Sequence, residues 1–159
     1  MTDLLPTEVT VLTDVNVLAI ALTDNHPAHD TVYPWIQEAI DGPNVLLVFD
    51  YYPLRAQYVM TRNFGVDAAA ARNAIQSLVR SPARIITATE TTLLEAYEIS
   101  AEKNHDVYDS FIVALARAYD ADYLITTDGD FDELCEDEQV TYVNPIPAEK
   151  RETLTFIDG

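Results

Sequence analysis

Val9-Thr10-Val11-Leu12-Thr13-Asp14 is a short β-branched run that ends in a carboxylate, and the same form returns at Val45 to Asp50 and at Tyr123 to Asp128. Runs this short, apolar throughout and bounded by polar residues or Pro, mark strands buried on both faces of a parallel sheet. On this reading strands lie at Val9 to Leu12, Val45 to Phe49, Arg84 to Ile86, Tyr123 to Thr126 and Val140 to Val143. Helical spacing of apolar residues fills the intervals at Asp30 to Ile40, Tyr52 to Asn63, Asp67 to Val79, Glu90 to Lys103, Val107 to Asp120 and Phe131 to Glu138. The alternation predicts an α/β protein, a three-layer α/β/α fold around a central, mainly parallel five-stranded sheet. No repeat or Gly/Ser linker interrupts residues 1–143, so one domain is expected there, with residues 144–159 as a C-terminal tail on its surface.

The 159 residues are 48% hydrophobic, enough for a sizeable core. Cys135 is the single cysteine, so no intramolecular disulfide forms, and with His26, His29 and His105 it makes no zinc-ligand cluster. Nor does Cys135, in an acidic segment, have a neighbouring base to activate it as a nucleophile. No basic stretch precedes an apolar run at the start, and no apolar run approaches the roughly 20 residues that span a bilayer. A cytoplasmic protein without a membrane partner is expected.

Charge is uneven. There are 27 Asp and Glu against 9 Lys and Arg, a net −18, and two of the nine are lysines, Lys103 and Lys150. At low salt such a chain repels nucleic acid, because phosphate contacts supply most non-specific affinity. At molar salt the screening length falls to about 3 Å and the objection lapses, and an acid-rich, Lys-poor surface is what solubility in a halophile's cytosol favours. Against this background Tyr51 to Thr89 carries Arg55, Arg62, Arg72, Arg80 and Arg84 with Asp67 as its one acid. Asp120 to Glu138 instead holds nine acids and no Lys or Arg. Arg55 and Arg62 are seven apart, Arg72 and Arg80 eight, so each pair shares a helix face; they are either ordinary solvated residues or a track for RNA phosphates.

In open parallel sheets ligands bind beyond the carboxyl ends of the strands, which makes Asp14, Asp50 and Asp128 candidates for one cleft. Asp109 joins them, because its helical neighbours Ile112, Val113 and Ala116 are apolar and turn its carboxylate toward the sheet edge. Crowded carboxylates need a cation, and a hard divalent ion with oxygen ligands, Mg²⁺ or Mn²⁺, can activate water for in-line attack on a phosphodiester. Each acid also has a structural reading. Asp106 with Asp109, and Asp130 with Glu133, have helix-capping spacing; Asp14 can end its strand in an Asx-turn with Asn16; Asp50 can cap the next helix. For Asp130 and Asp50 capping is the favoured reading.

Asp14-Val15-Asn16-Val17-Leu18 after the first strand, Asp106-Val107-Tyr108-Asp109 opening an Ala-rich helix, and Thr126-Thr127-Asp128-Gly129-Asp130-Phe131 after the fourth strand together resemble the PIN domain, over about Val9 to Val143. The resemblance implies a divalent-metal-dependent endoribonuclease, VapC-like, the toxin of a toxin–antitoxin pair, acting on RNA, held by an antitoxin protein and paired as a homodimer. Carried over by position, Asp14, Asp109 and Asp128 become metal ligands and catalytic residues, supported by Asn16, which orients Asp14 or the water, and by Asp130. One element departs from the pattern. Counting back about ten residues from Gly65 to the place of the family's helix Glu lands on Arg55, and no acid occupies residues 51–66. Either Arg55 pairs with Asp14 or Asp109 in place of a cation, leaving a weakened RNA- or protein-binding module, or Asp50 supplies the missing ligand. A third reading, an Asp-nucleophile phosphotransferase built on Asp14-Val15-Asn16-Val17, lacks the second acid and a lysine between Asp14 and Lys103.

Overall fold

Val11, Leu12, Leu46, Leu47, Val48, Leu124 and Ile125 are buried almost completely, as strands covered on both faces require. They belong to β1 (Thr10–Thr13), β2 (Val45–Phe49) and β4 (Tyr123–Ile125), which with β3 (Arg84–Ile86) and β5 (Thr141–Val143) form one sheet in the computed structural model, where residues 3–151 are described. Every pairing is parallel and the order is β3-β2-β1-β4-β5. The chain builds outward from β1 through β2 to β3, then crosses back to place β4 and β5 on the other side of β1. The topological switch point therefore falls between β1 and β4, where Thr13 stands opposite Ile125.

Eight helices complete the described residues: α1 (Val15–Ala21), α2 (His29–Ile40), α3 (Tyr52–Arg62), α4 (Ala68–Arg80), α5 (Glu90–Lys103), α6 (Val107–Ala118), α7 (Phe131–Leu134) and α8 (Ala148–Arg151). They pack in two groups: α1 with α2 and α3, and α3 with α4; then α5 with α6, and α6 with α7. Right-handed crossovers put these groups on opposite faces of the sheet, which gives the three layers expected from the sequence. No helix among the described residues is long and apolar enough to cross a membrane.

Two local expectations need correction. Helix α1 was not expected, because Val17 to Ala21 are all buried and an apolar run covered on every side has no amphipathic period to read. Helix α7 ends at Leu134 rather than Glu138, where the chain turns to deliver Glu138 to two cations. The Glu138 carboxylate takes Arg117 Nε at 2.8 Å and Nη2 at 2.5 Å, and Lys103 Nζ at 3.0 Å, fastening the ends of α5 and α6 to the α7–β5 loop. His26 is buried edge-on against Phe64, with its Nδ1 accepting from the Ala28 amide at 3.0 Å. Beyond Val143 the chain stays on the domain: Ile146 is 3% exposed within the core cluster, and Arg151 Nε donates to its carbonyl at 2.8 Å. Residues 152–159 of the expected tail lie outside the described residues.

Thr13 Oγ1, completely buried at the end of β1, has no hydrogen-bond partner among the described residues. An unmet buried hydroxyl opposes folding, and valine keeps the shape and the strand preference without it. Thr13→Val should therefore raise stability by about 1 kcal/mol, read as a higher urea midpoint at unchanged slope; a lower midpoint would mean that the hydroxyl is satisfied in solution.

Candidate functional site

The carboxyl ends of β1 and β4 are joined by one side chain. Asp14 follows β1 directly and caps α1: its Oδ1 accepts from the Val17 amide at 2.9 Å, while its Oδ2 accepts a short hydrogen bond from the Thr126 hydroxyl on the β4 side. Thr126, fully buried, also accepts from the Asp128 amide at 3.2 Å. Asp128 Oδ1 in turn accepts from the Asp130 amide at 2.9 Å, closing an Asx-turn ahead of α7. From the far side Tyr142 donates to the Asp128 carbonyl at 3.1 Å and Asn144 Nδ2 to the Thr127 carbonyl at 3.2 Å. The acidic loop is thus held from both neighbouring strands.

Asp109 arrives from the opposite direction. Asp106 caps α6, accepting from the amides of Tyr108 at 2.7 Å and Asp109 at 3.3 Å, so capping is done by Asp106 and the Asp109 carboxylate is left for the sheet edge. Behind it Ile112, Val113 and Ala116 are buried. One carboxylate oxygen from each of Asp109, Asp128 and Asp130 can be chosen so that all lie within 4.8 Å of one another. Burial, and after it the charges of Asp128, Asp106, Asp14 and Asp130, push the Asp109 carboxyl up to about 6. An all-oxygen set of converging carboxylates, one of them held above its ordinary range by burial and then by its neighbours, fits a hard divalent cation.

Other expected site residues depart from the roles read for them. Asp130 makes no side-chain cap on α7, contrary to the favoured capping reading, because its side chain is directed to the acidic group. Asp50 is exposed and caps nothing; Tyr51 stands at the N-cap of α3, and the Asp50 amide is drawn to the Ile86 carbonyl at 2.9 Å. Asn16 is half-buried in the first turn of α1 and makes no hydrogen bond to Asp14, whose orientation comes from Val17 and Thr126 instead. Arg55 pairs with no carboxylate among the described residues. It is exposed on the outer side of α3, its guanidinium 5.2 Å from the centre of the Tyr58 ring, with Arg62 5.5 Å from the same ring. Arg72 and Arg80 are exposed on α4. Two residues near the site went unread: Thr126, whose hydroxyl joins two strand ends, and Tyr52, a buried phenol whose pKa is raised by burial and then by the charges of Asp14 and Asp109. A buried aromatic at a helix start carries no sequence signal that separates it from core.

The chain matches the PIN domain family over residues 11–137. No curated protein sequence matches it. Among solved structures it is similar to VapC20 of Mycobacterium tuberculosis, a sarcin-ricin loop cleaving toxin, at 18% identity and a TM-score of 0.62 over 77% of this chain and 92% of that one. It is also similar to VapBC2 from Rickettsia felis bound to a DNA fragment from their promoter, at 16% identity and a TM-score of 0.63 over 85% and 98%. A toxin–antitoxin complex from Klebsiella pneumoniae follows at 16% and 0.58, over 86% and 98%. At these identities the likeness is one of fold.

Asp109 sets a pH signature for the metal-free protein. Its carboxyl is higher in the folded state than in the unfolded chain, so its contribution is stabilising while it is protonated and is lost as pH rises from the ordinary carboxylate range through about 6. In EDTA, Asp109→Asn should melt a few degrees above wild type at about pH 7, with the gap closing toward about pH 4. Equal melting temperatures across that window would mean that neither burial nor the other carboxylates raise Asp109.

Proposed function

The chain belongs to the PIN domain family, and on that basis we propose that it is a VapC-type toxin, a divalent-metal-dependent endoribonuclease. The observation that carries the reading is the meeting of Asp109, Asp128 and Asp130 oxygens within 4.8 Å at the β1/β4 switch point, with Asp14 on the adjoining strand end. In this reading Asp14, Asp109, Asp128 and Asp130 hold Mg²⁺ or Mn²⁺. When bound, such an ion supplies positive charge to a phosphodiester and lowers the pKa of a water for in-line attack. Asp14 and Asp128 are preset by their hydrogen bonds, so little ordering is left for the moment of binding. Asn16, half-buried one residue beyond the α1 start, borders the site without touching Asp14.

The RNA would be met by Arg55, Arg62, Arg72 and Arg80, which are exposed and without carboxylate partners among the described residues. Unpaired arginines in an acid-rich chain are available to phosphates. The partners that follow from a VapC-type reading are a protein antitoxin, a second copy of this chain and a cytoplasmic RNA target. Support for the antitoxin comes from two of the similar structures, which are toxin–antitoxin assemblies. The binding-module reading retains one favourable observation, the absence of any acid on α3. The phosphotransferase reading is weakened, because both Asp14 oxygens are engaged as acceptors rather than presented as a nucleophile.

Calorimetry with Mn²⁺ in molar KCl, where bulk acidity collects little ion, should give stoichiometric binding that Asp14→Ala abolishes. Asp128→Asn should lose cleavage of single-stranded RNA while keeping the wild-type fold. Absent Mn²⁺ binding would move the protein to the non-catalytic module, and full activity in Asp128→Asn would remove that residue from the mechanism.

A further inference from the structure

Tyr51, Arg55, Tyr58 and Arg62 follow one another at spacings of four, three and four residues, which sets them in one stripe along α3. Tyr51, at the N-cap, has helical backbone angles and so keeps the phase. All four are exposed, Tyr51 by 54% and Tyr58 by 48%, away from the buried Ala56, Val59 and Met60. At 1.5 Å per residue the stripe is about 16 Å long. The guanidinium groups of Arg55 and Arg62 reach the Tyr58 ring from the preceding and following turns, 5.2 and 5.5 Å from its centre, within range of its π face but without covering it. Neither arginine meets a carboxylate among the described residues, and residues 51–66 contain no acid. The stripe begins at the edge where the acidic group stands. β1 and β2 are parallel with Leu12 opposite Leu47, so Asp14 and Phe49, each two residues on, leave the sheet at one level, and Tyr51 comes two residues after Phe49.

Rings and guanidinium groups alternating on one line suit a single strand of nucleic acid, whose bases stack on aromatic faces and whose phosphates take guanidinium donors. Leu54, exposed beside Tyr51 and Tyr58, is the feature that a protein partner would use, but the regular alternation favours the strand. Stacking also meets the difficulty of charge. Phosphate contacts alone bind weakly to a chain of net −18, whereas a base laid on a ring gains from apolar contact that bulk charge does not oppose. Resting on the ribonuclease reading above, we propose that the α3 stripe is a single-strand track on which Tyr58, and Tyr51 nearer the acidic group, stack unpaired bases of the RNA while Arg55 and Arg62 bond its phosphates. Attraction to the Tyr58 ring holds both guanidinium planes beside it, so ring and donors are placed together before the strand arrives. The track selects unpaired RNA, because bases inside a duplex already stack on one another and present no free face.

The test compares Tyr58→Leu and Tyr58→Phe with wild type in the full chain. Binding of a fluorescein-labelled, mixed-sequence single-stranded oligoribonucleotide is followed by anisotropy in EDTA over a range of KCl. Mn²⁺-dependent cleavage of the same strand, melting temperature and sedimentation are measured beside it. Tyr58→Leu should keep the melting temperature and weaken binding about tenfold, the scale of one base on a ring, and Tyr58→Phe should restore the affinity to within about twofold. Arg55→Gln with Arg62→Gln should lower the slope of log K against log[KCl] by about 1.4, the value for two phosphates of a single strand. A duplex of the same sequence should bind more weakly than the strand and be indifferent to Tyr58→Leu. Binding and cleavage by Tyr58→Leu within about twofold of wild type would overturn the track and leave the ribonuclease reading standing. An equal loss in Tyr58→Phe would assign the effect to the hydroxyl and not to stacking, and a fall from dimer to monomer in Tyr58→Leu with RNA binding unchanged would make the stripe an interface between copies; either overturns the proposal. If wild type neither binds nor cleaves the strand, the ribonuclease reading itself fails, and the track falls with it.

Discussion

The Asp14 carboxylate is the joint on which the sheet edge depends. One oxygen caps α1 through Val17 and the other takes the Thr126 hydroxyl, so a single side chain ties β1, α1 and the loop after β4 together. From Thr126 the hydrogen bonds continue to the Asp128 amide, and from the Asp128 side chain to the Asp130 amide, reaching the start of α7. Asp128 and Asp130 meet Asp109 at the end of this run, although like charges resist it, with Asp14 on the adjoining strand end. Asp14 and Asp128 offset part of that repulsion by accepting backbone amides. Asp109 accepts no hydrogen bond among the described residues, and its carboxyl is the one driven up to about 6. A bare carboxylate among its own kind is what makes the place receptive to a cation.

What could be read in the sequence follows from how each signal arises. β2, β3 and α5 have the bounds expected of them, because a fully apolar strand between polar ends and a long helix capped by Thr89 are local patterns. The pairing of β1 with β4 agrees with the expectation that Asp14 and Asp128 end neighbouring strands; the rest of the strand order had no local signal. α1 was hidden because its sequence, Val15 to Ala21, is as apolar and β-branched as a strand; the cap at Asp14 was its sole marker. Spacing misled at Asp130 and Asp50. Both stand where a capping residue would, but in each case tertiary contacts decide where the chain turns, and spacing alone holds no record of those contacts.

The uneven charge survives folding. The acid-rich segment ending at Glu138 finds its cations far away in sequence, at Lys103 and Arg117, and the bidentate grip of Arg117 lets Glu138 be buried. Those two cations are therefore committed to the fold. Arg55, Arg62, Arg72 and Arg80 are not: they lie exposed on α3 and α4 without carboxylate partners among the described residues, and Tyr58 steadies two of them. A chain of net −18 thus keeps one helical pair whose surface is basic.

Helix α3 brings these features together. Its buried face runs through Tyr52, Pro53, Ala56, Val59 and Met60, a 3.6-residue stripe that leaves position 55 on the solvent side. The register that aligns Arg55 with an acid in the family therefore does not bring its side chain to the carboxylates; the residue one turn earlier, Tyr52, is on the buried side, where burial and the charges of Asp14 and Asp109 raise its pKa. An acid at the position of Tyr52 would add a further negative charge against Asp109, already pushed up by burial and by Asp128, Asp106, Asp14 and Asp130. A phenol there adds none and keeps its proton in that field. The absence of acid from α3 leaves its buried face without a negative charge, and its outer face, with Arg55 and Arg62, stays positive.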